Sequence, residues 1–211
     1  PVDDGKKIFS LVMEETISLF DHEFSEAPAQ YGTSHETPKQ SWLDVKTTLA
    51  EIDTGELHFV KVPDQHIVID FDLKDQNGDK SLELNLEAAS IWPVTYAEIS
   101  KSGSGVHLHY NYDGDVTELS PNYSKGIEVK VFTRGASLRR RLSKCNNVQI
   151  ATLTNSLPIK EKKPVLGVDK VKSEKKLRDL IQRNLNKEFH SGTKPSIDFI
   201  KKILDDAHED G

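Results

Sequence analysis

Apolar and polar residues alternate along Ile67-Val68-Ile69-Asp70-Phe71-Asp72-Leu73. That period predicts a strand with Ile67, Ile69, Phe71 and Leu73 on one face and Asp70 and Asp72 together on the other. Similar runs predict strands over 56–62, 95–100, 106–112, 126–132 and 148–153. Elsewhere the period is helical. A helix is expected over 7–24, with Ile8, Leu11, Val12, Leu19 and Phe20 on one stripe, and another over 80–91 with Leu82, Leu86 and Ala89 in register. Ser41 reads as the N-cap of a short helix carrying Leu43, Val45 and Leu49, after a polar loop over 27–40. Towards the end of the chain, Ser173 caps a helix with Leu177, Leu180, Ile181 and Leu185 on one face, and Pro195 starts another with Ile197, Ile200, Ile203 and Leu204. The stretch 160–171, with Pro164 and Gly167, reads as a linker, and no internal repeat is present.

The chain has 211 residues, 36% of them hydrophobic, enough for one core domain of roughly 150 residues plus an appendage. A single cysteine, Cys145, excludes a disulfide framework and a multi-cysteine zinc site, and it suits a reducing cytoplasm. No apolar run approaches the ~18 residues of a membrane span, and no signal peptide is read. Net charge is −6, but it is unevenly spread. Residues 1–124 hold 8 Lys and Arg against 23 Asp and Glu, a net of −15, whereas 125–211 hold 20 against 11, a net of +9. The basic excess is densest from Lys125 to Lys144, where seven basic residues face one acid, Glu128. Basic residues gathered in this way can track a phosphate backbone, or they can be ordinary solvated faces.

Two acids side by side on a strand repel each other and are costly to bury without a cation between them. Asp70 and Asp72 therefore suit a divalent metal carrying a phosphorylated substrate; equally, they suit a strand running out into an acidic loop, since Asp75 and Asp79 follow. The segment from Asp75 to Asp79 is no calcium loop. With Gly78 as its sixth position, the first and twelfth would be Leu73 and Leu84, where acids are needed. A second segment runs Ser100-Lys101-Ser102-Gly103-Ser104-Gly105-Val106-His107-Leu108-His109. Small residues allow an anion close to the backbone, successive N–H groups and hydroxyls can cradle phosphate, and His107 just beyond can donate to a phosphate oxygen. A flexible hairpin turn followed by a core histidine fits the same residues. In the third segment, Ile127-Glu128-Val129-Lys130-Val131, Glu128 and Lys130 share a strand face.

Taken in order, Asp70-x-Asp72, Ser102-Gly-x-Gly-x-His107 and Ile127-Glu128 resemble the archaeo-eukaryotic primase superfamily, above all the primase-polymerases encoded by phages and plasmids. The run from Ile127 to Gly135, followed by Ser137-Leu138-Arg139-Arg140, is similar to phage replication proteins of this kind. The resemblance covers roughly residues 40–160. It implies an α+β fold with a catalytic sheet like an RNA-recognition-motif palm and a C-terminal helical subdomain. The expected division is a catalytic core over 1–160, a linker over 161–172 and a helical subdomain over 173–211. Asp70, Asp72 and Glu128 would form the catalytic metal triad for two magnesium or manganese ions. Ser102, Gly103, Ser104, Gly105 and His107, with Lys130 and Arg134, would bind the nucleotide triphosphate. Arg139, Arg140, Arg141 and Lys144 would contact DNA.

The zinc-binding stem of some members is not carried over for want of cysteines, so no zinc is expected. The implied activity is template-directed nucleotidyl transfer for primer synthesis and extension in phage or plasmid replication, in the cytoplasm of a bacterial host. Its partners would be single-stranded DNA and nucleoside or deoxynucleoside triphosphates, with a helicase domain in the full-length protein and no membrane. Two other classes remain open on the residues alone. One is a metal-dependent glycosyltransferase using Asp-x-Asp on a nucleotide sugar; the other is a non-catalytic single-stranded-DNA-binding module.

Overall fold

The computed structural model describes residues 11–154, 156–160 and 174–186, together with 201 and 204. Among these the strands are β1 (Ala29–Tyr31), β2 (His58–Val60), β3 (His66–Phe71), β4 (Ala97–Ile99), β5 (Val106–Tyr112), β6 (Asn122–Ser124), β7 (Ile127–Val131), β8 (Leu138–Arg140) and β9 (Ala151–Leu153). The helices are α1 (Leu19–Glu23), α2 (Leu82–Ser90) and α3 (Glu174–Leu185). The result is an α+β fold with mostly antiparallel pairing and few helices.

The strand predicted around Asp70 becomes β3, inside a sheet of order β4-β5-β3-β7-β6, and β9 adds in parallel at Tyr110 to Tyr112 of β5. Both β3 and β4 run antiparallel to β5, which lies between them, so α2 carries the chain across one strand. Ser81 caps α2 by accepting from the Leu84 N–H at 3.3 Å, and Leu82, Leu86 and Ala89 turn towards the sheet as their spacing predicts. They meet Ile67, Ile69, Phe71, Leu108, Tyr110 and Val129 in one core. The opposite sheet face is buried too. There Val68, Tyr96 and Phe132 pack with Phe20, Ala29, Val60, Leu138 and Cys145, contributed largely by α1 and the small sheet β1-β2-β8.

Two predicted helices do not form. Instead of a helix over 7–24, residues 11–18 run without helical structure and only Leu19–Glu23 is helical; residues 7–10 lie outside the described set. The reason is pairing at a distance. Glu15 exchanges both backbone hydrogen bonds with Cys145, at 3.0 and 2.8 Å, and Cys145 also bridges to Glu98 of β4. Ser18 then caps α1 at Asp21 N. The apolar stripe is consequently divided, with Phe20 fully buried and Val12 and Ile17 exposed. The helix expected after Ser41 is a turn over 42–44 with Leu43 exposed, and Leu49 enters the core from a 3-10 turn, Leu49–Glu51, where Glu51 accepts from the Thr48 N–H at 2.7 Å.

The chain divides into two compact units, Pro1–Lys160 and Glu161–Gly211. In the second, α3 occupies the span where Leu177 to Leu185 predict a helix. The linker over 161–172, the cap at Ser173 and the helix expected from Pro195 lie outside the described residues, apart from helical Lys201 and Leu204. No described helix is long and apolar enough to cross a membrane.

Candidate functional site

Strand register assembles the site. Glu98 on β4 lies opposite His107 on β5, His107 opposite Asp70 on β3, and Asp70 opposite Glu128 on β7. These four residues form one row across the sheet, on the face that also carries Val68 and His109. Exposure of the side chains climbs along it, from 2% at Glu98 through 16% at His107 and 24% at Asp70 to 51% at Glu128. The row thus begins inside the second core and ends in solvent. Asp72 follows Asp70 on the same face, and its N–H donates to the Gly126 carbonyl at 2.8 Å. Gly126 has φ +78° and lies so close that a Cβ there would come within 2.9 Å of the Leu73 side chain, so only glycine fits beside Asp72.

Each acid of the expected triad has a cationic neighbour. Asp72 pairs with Lys80 at 2.8 Å. Lys130 hydrogen-bonds Glu128 and lies 3.6 Å from Asp70 Oδ2, so it stands between the two facing acids. His107 Nε2 is 3.4 Å from Asp70 Oδ1. Burial pushes the Asp70 carboxyl up, but hydrogen bonding and charge from His107, with the Lys130 ammonium, outweigh it and hold Asp70 below the ordinary range. Burial likewise pushes His107 down, and Asp70 and Glu98 on either side reverse this, raising it to about 9. With no metal bound, His107 is therefore an imidazolium at neutral pH, able to donate to an anion.

The serine–glycine segment is the turn into β5. A chain of hydroxyl contacts runs along it, Ser100 to Ser102 at 3.0 Å and Ser102 to Ser104 at 3.2 Å, and Ser100 Oγ accepts from the Gly105 N–H at 3.1 Å. Its glycines serve different ends. Gly103 has φ +80° and open space around it, whereas a Cβ at Gly105 would meet Ser100 Oγ at 2.7 Å and the Phe71 carbonyl at 2.9 Å. Asn85 of α2, fully buried, fastens this turn to the end of the acidic strand. Its amide donates to the Ser104 carbonyl and its oxygen accepts from the Leu73 N–H, each at 2.8 Å. The three sequence segments thus meet at one end of the sheet.

The basic strip is divided by strand alternation. Arg139 and Arg141 point outward, while Arg140 is 1% exposed, so Arg140 is no DNA contact. Its guanidinium is enclosed by Glu98 at 2.7 Å, Asp21, Ser18 and Tyr96, and lies over the Phe20 ring at 4.5 Å. Burial opposes both charges of the inner pair, but Arg140 holds Glu98 well below the carboxylate range, and Glu98 holds Arg140 protonated. Arg134, Arg139, Arg141 and Lys144 remain exposed. Arg139 pairs with Glu36 at 3.2 Å, and Glu36 also holds Lys101, which places Arg139 beside the serine–glycine turn. Arg141 Nε donates to the Gly55 carbonyl, and Arg134 sits at φ +57° in a turn whose carbonyls accept from Lys61.

Sequence reasoning passed over Glu98, Asn85 and Asp21. Glu98 had one signal, an acid inside the apolar strand Tyr96-Ala97-Glu98-Ile99, and Asn85 had a similar one, an amide on the inward stripe of α2. Glu98, His107 and His109 each offer one ligand atom, all within 4.8 Å of one another, and the group could hold a metal ion. Comparison of the chain with protein-family models and with curated proteins returns no match.

Proposed function

We propose that the chain is a primase-polymerase, a metal-dependent and template-directed nucleotidyltransferase that makes and extends primers on single-stranded DNA in phage or plasmid replication. One observation carries the reading: the facing pair Asp70 and Glu128, with Asp72 one step along, lies at the same sheet end as the serine–glycine turn and His107. The strand order β4-β5-β3-β7, with α2 crossing from β3 to β4, supports a palm of the RNA-recognition-motif kind.

The donor set suits the expected ions. Asp70, Asp72 and Glu128 are oxygen ligands, as magnesium and manganese prefer, and Lys130 marks the space between the facing acids as attractive to a cation. Bound there, the ions would stabilise charge on the attacking, transferring and leaving oxygens. The residues themselves supply position. His107 and the hydroxyls of Ser102 and Ser104 hold the triphosphate, Gly103 in open space lets its oxygens reach the backbone, and Gly105 lets the turn pack closely on the end of the acidic strand. Arg139, tied through Glu36 to Lys101 of the turn, would meet triphosphate or template, with Arg134, Arg141 and Lys144 contacting template away from the acids. With ions held by the acids, Lys130 would be free to pair with phosphate instead.

The test is incorporation by the purified chain on primed and unprimed single-stranded templates, with magnesium or manganese and with ribo- and deoxynucleotides offered separately. Template-dependent products that vanish in Asp70→Asn support the reading. No product with any nucleotide set, or undiminished product from Asp70→Asn, overturns it.

A further inference from the structure

We propose that Glu98, His107 and His109 form a buried site for one zinc-class transition-metal ion, bound through Glu98 Oε1, His107 Nδ1 and His109 Nε2. The site lies inward of the carboxylate triad and does not rest on the polymerase reading.

The geometry begins with register. His107 faces Glu98 across the β4–β5 ladder, and His109, two residues on, shares its face. His109 Nε2 lies 3.4 Å from Glu98 Oε1 and His107 Nδ1 lies 3.8 Å from it. Ligand bonds of about 2.0–2.2 Å in a tetrahedral shell separate donor atoms by about 3.4 Å, so the two nitrogens already stand near that spacing from Glu98 Oε1, and all three atoms lie within 4.8 Å of one another. Both nitrogens are buried and without a hydrogen-bond partner. Two imidazole nitrogens thus stand around one carboxylate oxygen with neither in hydrogen-bond geometry to it, an arrangement that a shared metal ion would satisfy.

The outer contacts are those of metal-ligating histidines. Such residues donate their second ring N–H to another group, which fixes the tautomer and turns the remaining lone pair to the metal. Here His107 Nε2 faces Asp70 at 3.4 Å, and His109 Nδ1 meets His66 Nε2 at 3.0 Å. Glu98 is held in the same manner. Its other oxygen, Oε2, accepts from Arg140 Nε at 2.7 Å and from the Tyr96 hydroxyl at 3.1 Å, leaving Oε1 to the histidines. The neighbouring Arg140 does not forbid a dication, because Asp21 pairs with its guanidinium from the other side. Glu98 therefore keeps a negative charge for the site.

Donor chemistry selects the ion. Magnesium and calcium take oxygen ligands, whereas two imidazoles with a single carboxylate suit zinc and its first-row neighbours. No cysteine is needed. With Nδ1 on the metal, His107 would keep Nε2–H as a permanent donor towards Asp70 and the serine–glycine turn.

The test uses the full chain, stripped with chelator, reloaded with one equivalent of zinc and passed through a desalting column. One zinc per chain should be retained in millimolar magnesium, and cobalt(II) in its place should give visible d–d absorption that zinc abolishes. His107→Ala should weaken zinc binding at least tenfold, while Asp72→Asn should retain it. Loss of zinc from the wild type on desalting overturns the proposal, as does displacement by magnesium, which would put the ion on the carboxylates. Equal retention by His107→Ala, the mark of adventitious surface binding, also overturns it. The wild-type measurements decide the matter even if His107→Ala does not fold. Polymerase failure alongside zinc retention would overturn only the function proposed above.

Discussion

Asp70 and Asp72 share a strand face but not an environment, and the difference separates catalysis from stability. Asp72 is nearly half exposed and held, among the described residues, by Lys80 alone, an exposed pair worth about 0–1 kcal/mol. Asp72→Asn should therefore abolish nucleotide incorporation while moving the urea midpoint little; a variant that still extends primers would remove Asp72 from the metal site. Two acids at this spacing repel each other, and removing both would stabilise the fold if nothing offset that repulsion. The cations Lys80, Lys130 and His107 already offset that repulsion, so no gain is expected. Arg140 presents the reverse case. Arg140→Met would leave Glu98 and Asp21 without their charge partner in the second core, and loss of one member of a buried pair costs about 3–5 kcal/mol. Arg139→Ala and Arg141→Ala should each stay within about 0.5 kcal/mol of wild type in the same unfolding experiment. Equal costs for all three would contradict the division of the strip. A run of three arginines reads from sequence as one basic patch, because strand alternation inverts the middle residue only once β8 is paired with β2.

At the scale of elements, what the sequence made legible was whatever depends on local period. The strands around Asp70, His107 and Glu128 and the helix α2 follow from alternation and from the stripe Leu82, Leu86, Ala89. The strands that went unread, β1, β6 and β8, read Ala-Gln-Tyr, Asn-Tyr-Ser and Leu-Arg-Arg, with no apolar run around them to mark a strand, and are specified by their partners. The false helix over 7–24 failed for a related reason, since the backbone bonds Glu15 makes with Cys145 depend on a residue far along the chain. Neither the turn's attachment to the acidic strand nor the identity of the residue that makes it could be read from spacing. Asn85 makes it, and the element-scale prediction follows from its two bonds. Asn85→Ala should leave the half-buried Leu73 N–H and Ser104 carbonyl without these partners, at a cost of about 1–3 kcal/mol. It should also raise the KM for nucleotide more than it lowers kcat, because the turn would be displaced while the acids stay on their strands. A fall in kcat alone would argue that the turn does not bind triphosphate.

Among the described residues of the whole molecule, four histidines, His58, His66, His107 and His109, lie at or inside the second core, and they divide by charge. Burial pushes His58, His66 and His109 down, so each stays neutral in the folded protein at pH values where the unfolded chain, with histidines near about 6.5, is already protonated. Below about 6.5 the unfolded state thus binds more protons, and stability falls as pH is lowered. His107, at the edge of this core, behaves oppositely. Burial alone would lower it, but Asp70 and Glu98 raise it to about 9. Its contribution is complete below about 6.5 and is lost as pH rises through about 9. Cys145, whose thiol burial pushes up, adds a loss only where the unfolded thiol ionises, above about 8.5, so the interval from about 6.5 to 8.5 reports His107. In chelating buffer, where no metal competes for His107, the thermal midpoint should peak near pH 6.5 and decline on both sides. His107→Gln should flatten the alkaline decline between pH 6.5 and 8.5 and leave the acid decline in place. An alkaline limb that persists unchanged in the variant would mean that the cation bridging Asp70 and Glu98 is not the source of the pH dependence, and that His107 is neutral in the folded protein.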